Sequence, residues 1–239
     1  MYSDTLEIIQ KASSLGEDFA IGSRNQIKTI EINHIKYSVK VFKVPYFLLG
    51  FIYRYFRKSK AERSYLHAVF LESKKIGTPK PIGFYENKSW FRLKESYYVC
   101  EHLENSFLFR DLFNTEQDDL DKILRGFAKF TYQMHECGIE FLDHSPGNTL
   151  IKNNKGTYDF FLVDLNRMNI HKEALSFDKR MKNFERILTS NHYREIVSDE
   201  YAKLYNKPYD VVFKAIEGYS LSFFKKFDNK RKIKNLFKI

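Results

Sequence analysis

IEFLDHSPGNTLIKNNKGTYDFFLVDLNR, residues 139–167, decides how the rest of the chain is read. Asp143 and Asn148 stand in a D-x-x-x-x-N spacing. Two short apolar runs follow, 149–152 and 158–163, joined by Asn153-Asn154-Lys155-Gly156. That linker is rich in residues that accept positive φ, so the stretch predicts a β-hairpin. Antiparallel pairing sets the start of the first strand beside the end of the second. Asn148 enters the first strand and Asp164 leaves the second, so the hairpin is expected to bring them together. Asp143 lies one loop before. Two carboxylates and a carboxamide then share a small volume, and all offer oxygen. Hard Mg²⁺ takes such ligands and commonly shares them with substrate phosphates.

Outward from this stretch, the composition sets bounds. The chain has 239 residues, enough for one large domain or two lobes around a cleft. Hydrophobic residues make up 43%, sufficient for a core, and 10 Gly and 5 Pro are too few for long linkers. The formal net charge of +10 predicts anionic partners and says nothing about fold. Cys100 and Cys137 are too few for a disulfide framework or a Cys-based zinc site, and two reduced cytosolic thiols are the plainer expectation. The opening residues MYSDTLEIIQKASS are acidic without a continuous apolar core, so no signal peptide is expected there. No zinc-finger, RNP or helix-turn-helix pattern supports nucleic acid as the anionic partner.

Upstream, residues 1–15 read as a short helix or a loose arm. Residues 17–42 read as strands, with a turn at Asn33-His34. In the second strand Tyr37, Val39 and Val41 alternate with Ser38, Lys40 and Phe42, which puts Lys40 on the face away from the valines. Residues 59–75 read as a helix with Glu62, Leu66 and Val69 on one face, ended by Gly77 and Pro79. An inward Glu needs a cationic partner. Residues 115–135 are the best helical pattern, with Leu120, Ile123, Leu124, Phe127, Thr131 and Met134 in one stripe. Thr115-x-x-Asp118 resembles a capping box and Gly138 is the expected C-cap. His135, at the helix end, reads as a dipole partner rather than a catalyst. Residues 44–60, VPYFLLGFIYRYFRKSK, are either a linker with a buried helix or an apolar–basic surface segment for a membrane interface. From Arg24 to Arg63 there are ten Lys or Arg against two Glu, so the positive charge concentrates here. Helical segments are expected at 175–188, 192–205 and 209–227, with the basic tail from Lys225 to Lys238 expected as a disordered arm.

These motifs resemble those of kinases, which carry a catalytic Asp, an Asn five residues on, and a metal-binding Asp after a hairpin. FLDHSPGNTLI followed by FLVDLNRM more narrowly resembles the lipopolysaccharide core-sugar kinases, the Kdo and heptose kinases, over roughly residues 23–204. The resemblance implies an α+β, two-lobed protein-kinase-like fold, with a small β-rich N-lobe (1–103) and a reduced helical C-lobe (104–239). It implies ATP and Mg²⁺ in the cleft and phosphoryl transfer to a sugar hydroxyl of the lipopolysaccharide inner core. Asp143 would be catalytic, and Asn148 and Asp164 would hold Mg²⁺. Lys40 would meet phosphate, positioned by Glu62, with Glu72 as the second candidate. No GxGxxG loop is present. The turn Gly22-Ser23-Arg24-Asn25 resembles the family's turn at that place and would cradle phosphate. Glu101 and Leu103 would meet adenine at the hinge.

Leu142 stands where many protein kinases have an Arg that reads a phosphorylated loop, so no such switch is expected. Leu165 and Asn166 replace the Phe and Gly of Asp-Phe-Gly, and Asp-Leu-Asn-Arg fits a sugar kinase better than a protein kinase. His144 is read either as substrate-facing or as structural, and Asn166 and Arg167 are further substrate candidates. The implied partners are a lipid-linked sugar and an anionic membrane surface, with the protein cytoplasmic and peripheral on the inner membrane. An aminoglycoside- or choline-type phosphotransferase and an inactive pseudokinase scaffold are the alternatives.

Overall fold

Asn33 and His34 take positive φ (53° and 63°) in the computed structural model of the chain. They are the whole connection of a tight hairpin, because Ile32 already pairs with Ile35. Two consecutive positive-φ residues are what a primed two-residue turn requires, and Asn accepts that geometry readily. The structure describes residues 2–21, 25–113 and 119–236. They divide into two compact units, Met1–Asn105 with Leu162–Arg167, and Ser106–Phe161 with Met168–Ile239. The division differs from a single cut after residue 103. The short stretch Leu162–Arg167 leaves the second unit, belongs to the first, and returns.

The first unit opens with α1 (Tyr2–Leu15) and continues through β1 (Glu17–Ile21), β2 (Asn25–Ile32), β3 (Ile35–Phe42), α2 (Phe47–Tyr55), α3 (Lys60–Ser73), β4 (Pro81–Lys88) and β5 (Leu93–Glu101). The strands form one antiparallel sheet in the order β1-β2-β3-β5-β4. Its core is set by the strand period of two. Val39 and Val99, partners across β3 and β5, are buried against Ile8, Ile9 and Ala12 of α1. The opening segment is therefore a core helix and not an arm. Lys40 pairs with Tyr98 and points to the other face.

On α3, Ser59 caps the helix by accepting from the Glu62 amide at 3.0 Å. The buried face is Ala61, Ser64, Ala68 and Leu71. This corrects the expected inward stripe, since Leu66 and Val69 are exposed. Three small residues and Leu71 face inward on this helix, and Leu66 and Val69 lie outside.

The second unit begins with β6 (Ser106–Leu108) and a 3-10 turn (Phe109–Phe113), followed by α4 (Leu120–Glu136), β7 (Ile139–Phe141), β8 (Thr149–Asn154) and β9 (Thr157–Leu162). After β10 (Met168–Ile170) come α5 (Phe177–Asn183), α6 (Asn191–Tyr205) and α7 (Tyr209–Leu236). The stripe expected on α4 is buried from Ile123 to Met134, while the Thr115–Asp118 cap lies outside the described residues. The second hairpin turns on two residues, Lys155 (φ 56°) and Gly156 (φ 88°), tighter than the four-residue linker expected. The Asn153 side chain accepts from the Gly156 amide at 2.8 Å, which fixes that turn. The basic stretch after residue 225 continues as helix in α7 to Leu236 instead of forming an arm.

Gly138 carries the chain from α4 into β7. Its φ is +71°, and a Cβ there would meet the carbonyl oxygens of His171 and Glu173 at 2.5 and 2.6 Å. The clash is with backbone, which cannot rotate away. Gly138→Ala is expected to destabilise the fold by about 2 kcal/mol or more, which lowers the unfolding midpoint by roughly 4–8 °C in a chain of this size. A melt indistinguishable from the parent would refute this account of the turn.

Candidate active site

The first unit supplies a cation and a carboxylate held together. Lys40 Nζ lies 2.7 Å from Asp164 Oδ1, with the two side chains 14% and 30% exposed. Asn166 Nδ2 donates to the same oxygen at 2.5 Å. Asp164 sits at φ +58°, a left-handed conformation that costs a non-glycine residue of order 1 kcal/mol. The surroundings hold it there. The Leu162 amide donates to Gly77 O at 2.9 Å. Thr78 donates to Leu162 O at 3.0 Å, and His67 Nδ1 donates to Leu165 O at 2.6 Å. Leu165 itself is buried. Burial holds the His67 pKa below its usual value, partly offset by that carbonyl contact.

Glu62, expected beside Lys40, instead lies 3.3 Å from Lys58, one helical turn away. The lysine is thus met by Asp164 rather than by α3. Glu72, the other candidate, is exposed. Glu101 uses its amide on Lys80 O at 2.9 Å and its carboxylate on Lys80 Nζ at 2.8 Å. Leu103 is half-buried just past β5 and Arg167 is exposed. Asn166 is buried against Asp164, which gives it a holding part rather than a surface one. Gly22, Ser23 and Arg24 lie outside the described residues. The backbone of Asn25 begins β2, paired with Phe42.

The second unit supplies the loop between β7 and β8. It bonds to itself: the His144 amide donates to Phe141 O at 3.2 Å, and the Asn148 amide to Ser145 O at 2.9 Å. Asn148 Nδ2 donates to Asp143 O at 2.9 Å, so the D-x-x-x-x-N spacing closes one turn of chain. Asp143 Oδ1 accepts from Arg186 Nη1 at 2.6 Å. Arg186, whose guanidinium also lies over the Phe223 ring at 5.6 Å, was not singled out in the sequence. It follows α5, 43 residues beyond Asp143, and no spacing rule links the two.

His144 does not face a substrate. It is 1% exposed, ringed by Phe127, Phe141 and Phe184 at 5.5–6.5 Å between centroids. Neither ring nitrogen has a hydrogen-bond partner among the described residues. Asn183 lies alongside, but its amide is committed to Phe141 O and to His135 Nε2. Burial pushes the His144 pKa down to about 4. His135 is also buried, its pKa pushed down to about 3, so it is neutral and cannot complement the helix dipole as expected. Its Nε2 donates to Asn183 and its Nδ1 accepts from Tyr201.

Each unit offers an oxygen donor of the kind Mg²⁺ takes. Asp164 Oδ2 and Asn148 Oδ1 have no protein partner among the described residues, and both are hard oxygen donors. No group of three or more His, Cys, Asp or Glu forms a metal cluster among the described residues. Mg²⁺ held by either donor would complete its shell with phosphate and water, as it commonly does.

No protein-family model matches the chain, and no curated protein matches it by sequence. Solved structures do match, 1385 chains in all, so the fold does not rest on one neighbour. The complex of WaaP with acyl carrier protein superposes with a TM-score of 0.61 at 16% identity, covering 94% of this chain and 92% of that one. The Rio2 kinase–ADP/Mg²⁺–phosphoaspartate complex from Chaetomium thermophilum gives 0.53 at 13% identity, covering 89% and 66%. The chain has the α+β protein-kinase-like fold.

The two buried histidines set an acid limit on stability. The unfolded chain protonates them below about pH 6.5, whereas the folded chain resists until about pH 4 at His144. The stability that neutrality confers is complete above the unfolded value and lost as pH falls through this window. The unfolding midpoint is expected to drop between pH 6.5 and 4, and His144→Phe to flatten that drop. An equal slope in parent and variant would show that His144 is not the cause.

Proposed function

We propose that this chain is an ATP- and Mg²⁺-dependent kinase that phosphorylates a sugar hydroxyl of a lipid-linked, anionic glycan of the lipopolysaccharide inner-core type, acting at a membrane face. The observation that carries the reading is the Lys40–Asp164 pair at 2.7 Å within a kinase-like fold. The resemblance of residues 141–151 and 161–168 to the motifs of lipopolysaccharide core-sugar kinases supports the acceptor class, and the fold shared with WaaP is compatible with it.

Each residue then has a part. Lys40 exchanges its carboxylate partner for phosphate oxygen. Asn148 and Asp164 would hold Mg²⁺, and the ion would supply neutralising charge at the phosphate oxygens. Asp143 orients the acceptor hydroxyl and takes its proton. The hydroxyl oxygen forms the new P–O bond while the bond from the γ-phosphorus to the leaving ADP oxygen breaks. Arg186 holds the Asp143 carboxylate, and His67, Thr78 and Asn166 hold the Asp164 turn. Little covalent chemistry is asked of the protein, so positioning and electrostatics carry the rate.

Purified protein should transfer one phosphate from ATP to a lipid-linked core acceptor, seen as one phosphate of added mass, and chelation of Mg²⁺ should stop it. Asp143→Asn is expected to cost about 10²–10⁴-fold in turnover with nucleotide affinity retained. Lys40→Met and Asp164→Asn should each abolish most activity and combine non-additively, because they break one pair. Arg186→Gln should cost about tenfold, as loss of a charge-assisted hydrogen bond does, with Arg186→Lys recovering part of it. Parent-like turnover in Asp164→Asn would remove the metal assignment. Much faster phosphorylation of a free aminoglycoside or choline would overturn the acceptor.

A further inference from the structure

The segment from Pro45 to Phe56 does not stand alone. α2 lies against β5, and the contact is made at Gly50, where a Cβ would come within 3.0 Å of Leu93 O and 3.3 Å of Arg92 Cβ. The Phe47 and Phe91 rings sit 5.7 Å apart. The Arg92 guanidinium lies over both, at 5.7 and 5.8 Å, and the Tyr55 hydroxyl donates to Trp90 O. The helix and the β4–β5 turn therefore form one cap. Its outer side carries Tyr46, Phe47, Leu48, Phe56 and Trp90, between 64% and 87% exposed. Isolated exposed apolar residues are ordinary, but five large ones on two joined elements are not.

Within the two stretches that form this cap the charge has one sign. No acidic residue lies between Lys43 and Ala61, nor between Ser89 and Lys94. Arg54 lies in the last turn of α2 with Arg57 just beyond it, and Arg92 closes the β4–β5 turn with Lys94 at the start of β5. None of these four forms an ion pair among the described residues. A second copy of the chain would set these cations against their equals. The helix, at nine residues, is too short to span a bilayer, and no described helix is long and apolar enough to do so. Aromatic side chains beside unpaired Arg and Lys suit the bilayer interface, where rings enter the headgroup zone and cations meet phosphate.

We propose that the cap formed by α2 and the β4–β5 turn is the surface that docks this protein onto an anionic lipid bilayer, with Trp90 entering the interface. The proposal rests on the membrane part of the function proposed above and names where the contact is made.

Trp90 is the only tryptophan in the chain, so its fluorescence reports this surface directly. With vesicles of phosphatidylglycerol and phosphatidylcholine, Trp90 emission should shift to the blue and be quenched by brominated lipid. Pure phosphatidylcholine should give little of either. The triple variant Arg54→Gln, Arg57→Gln, Lys94→Gln should weaken binding about tenfold or more, and high salt should do the same to the parent. Phe47→Ser with Leu48→Ser should weaken binding and reduce the blue shift. Both variants should melt as the parent does and phosphorylate a detergent-dispersed acceptor at the parent rate. Vesicle binding with unchanged Trp90 emission would overturn the proposal in favour of another surface. So would no vesicle binding at all, or Trp90 shielding by self-association or by an acidic carrier protein instead of lipid. Loss of parent transfer in detergent would count against the kinase reading and leave the docking result standing.

Discussion

The pairing of Lys40 with Asp164 is the contact on which the candidate chemistry of the first unit depends. Both side chains are largely withdrawn from water, so each charge needs the other. Breaking such a pair by removing one partner is costlier than the pair's net worth, because the remaining charge is stranded. The pair also spans the sequence. It joins strand β3 to a six-residue stretch more than a hundred residues later, and that stretch reaches the first unit only by leaving the second. Asp164 is held in a left-handed conformation by its neighbours' hydrogen bonds, not by its own preference. Strain of this kind persists only where the surroundings over-determine it.

The second unit is built to hold a loop still. His144 is inserted among three phenylalanines like an aromatic core residue, which anchors the residue beside Asp143. Asn183 ties β7 to α5 by donating to Phe141 O at 2.8 Å. Arg180, 2% exposed, donates to Glu136 at 2.6 Å and to Leu175 O at 2.6 Å and stacks on Tyr205. Such polar networks are costly when half satisfied and rigid when complete. Here they surround the segment from which Asp143 and Asn148 project, so rigidity and site are one property.

Much of this was legible before any coordinates. Both tight turns announced themselves through Asn and Gly, since few residues accept positive φ. The α4 stripe followed from its period, and Lys40 from strand alternation. What failed was partnership. A helical Glu near a strand Lys is a reasonable pair, but Asp164 outcompetes Glu62, and no local pattern reveals which carboxylate arrives closer. The inward face of α3 differs from the expected stripe because Ala61, Ser64 and Ala68, too small to stand out in a hydrophobic pattern, line it together with Leu71. His144 turns out to be the structural residue that was one of its two readings, while His135, expected to complement the helix dipole, is kept neutral by burial. His67, Thr78 and Arg186 act through contacts to backbone or to distant carboxylates that leave no spacing signature. Trp90 joins α2 only in three dimensions, so the apolar–basic segment looked isolated in one.

The central claim is that Lys40 and Asp164 partner each other only until phosphate and Mg²⁺ take their places. If so, metal and nucleotide must help each other bind, because each relieves the charge that the other leaves exposed, and such coupling is reciprocal. Isothermal titration of ATP into the protein, with and without Mg²⁺, tests this directly. The account predicts that Mg²⁺ tightens ATP binding by about tenfold or more, the size of an ordinary coupling between sites. Equal affinity in the presence and absence of the metal would contradict it.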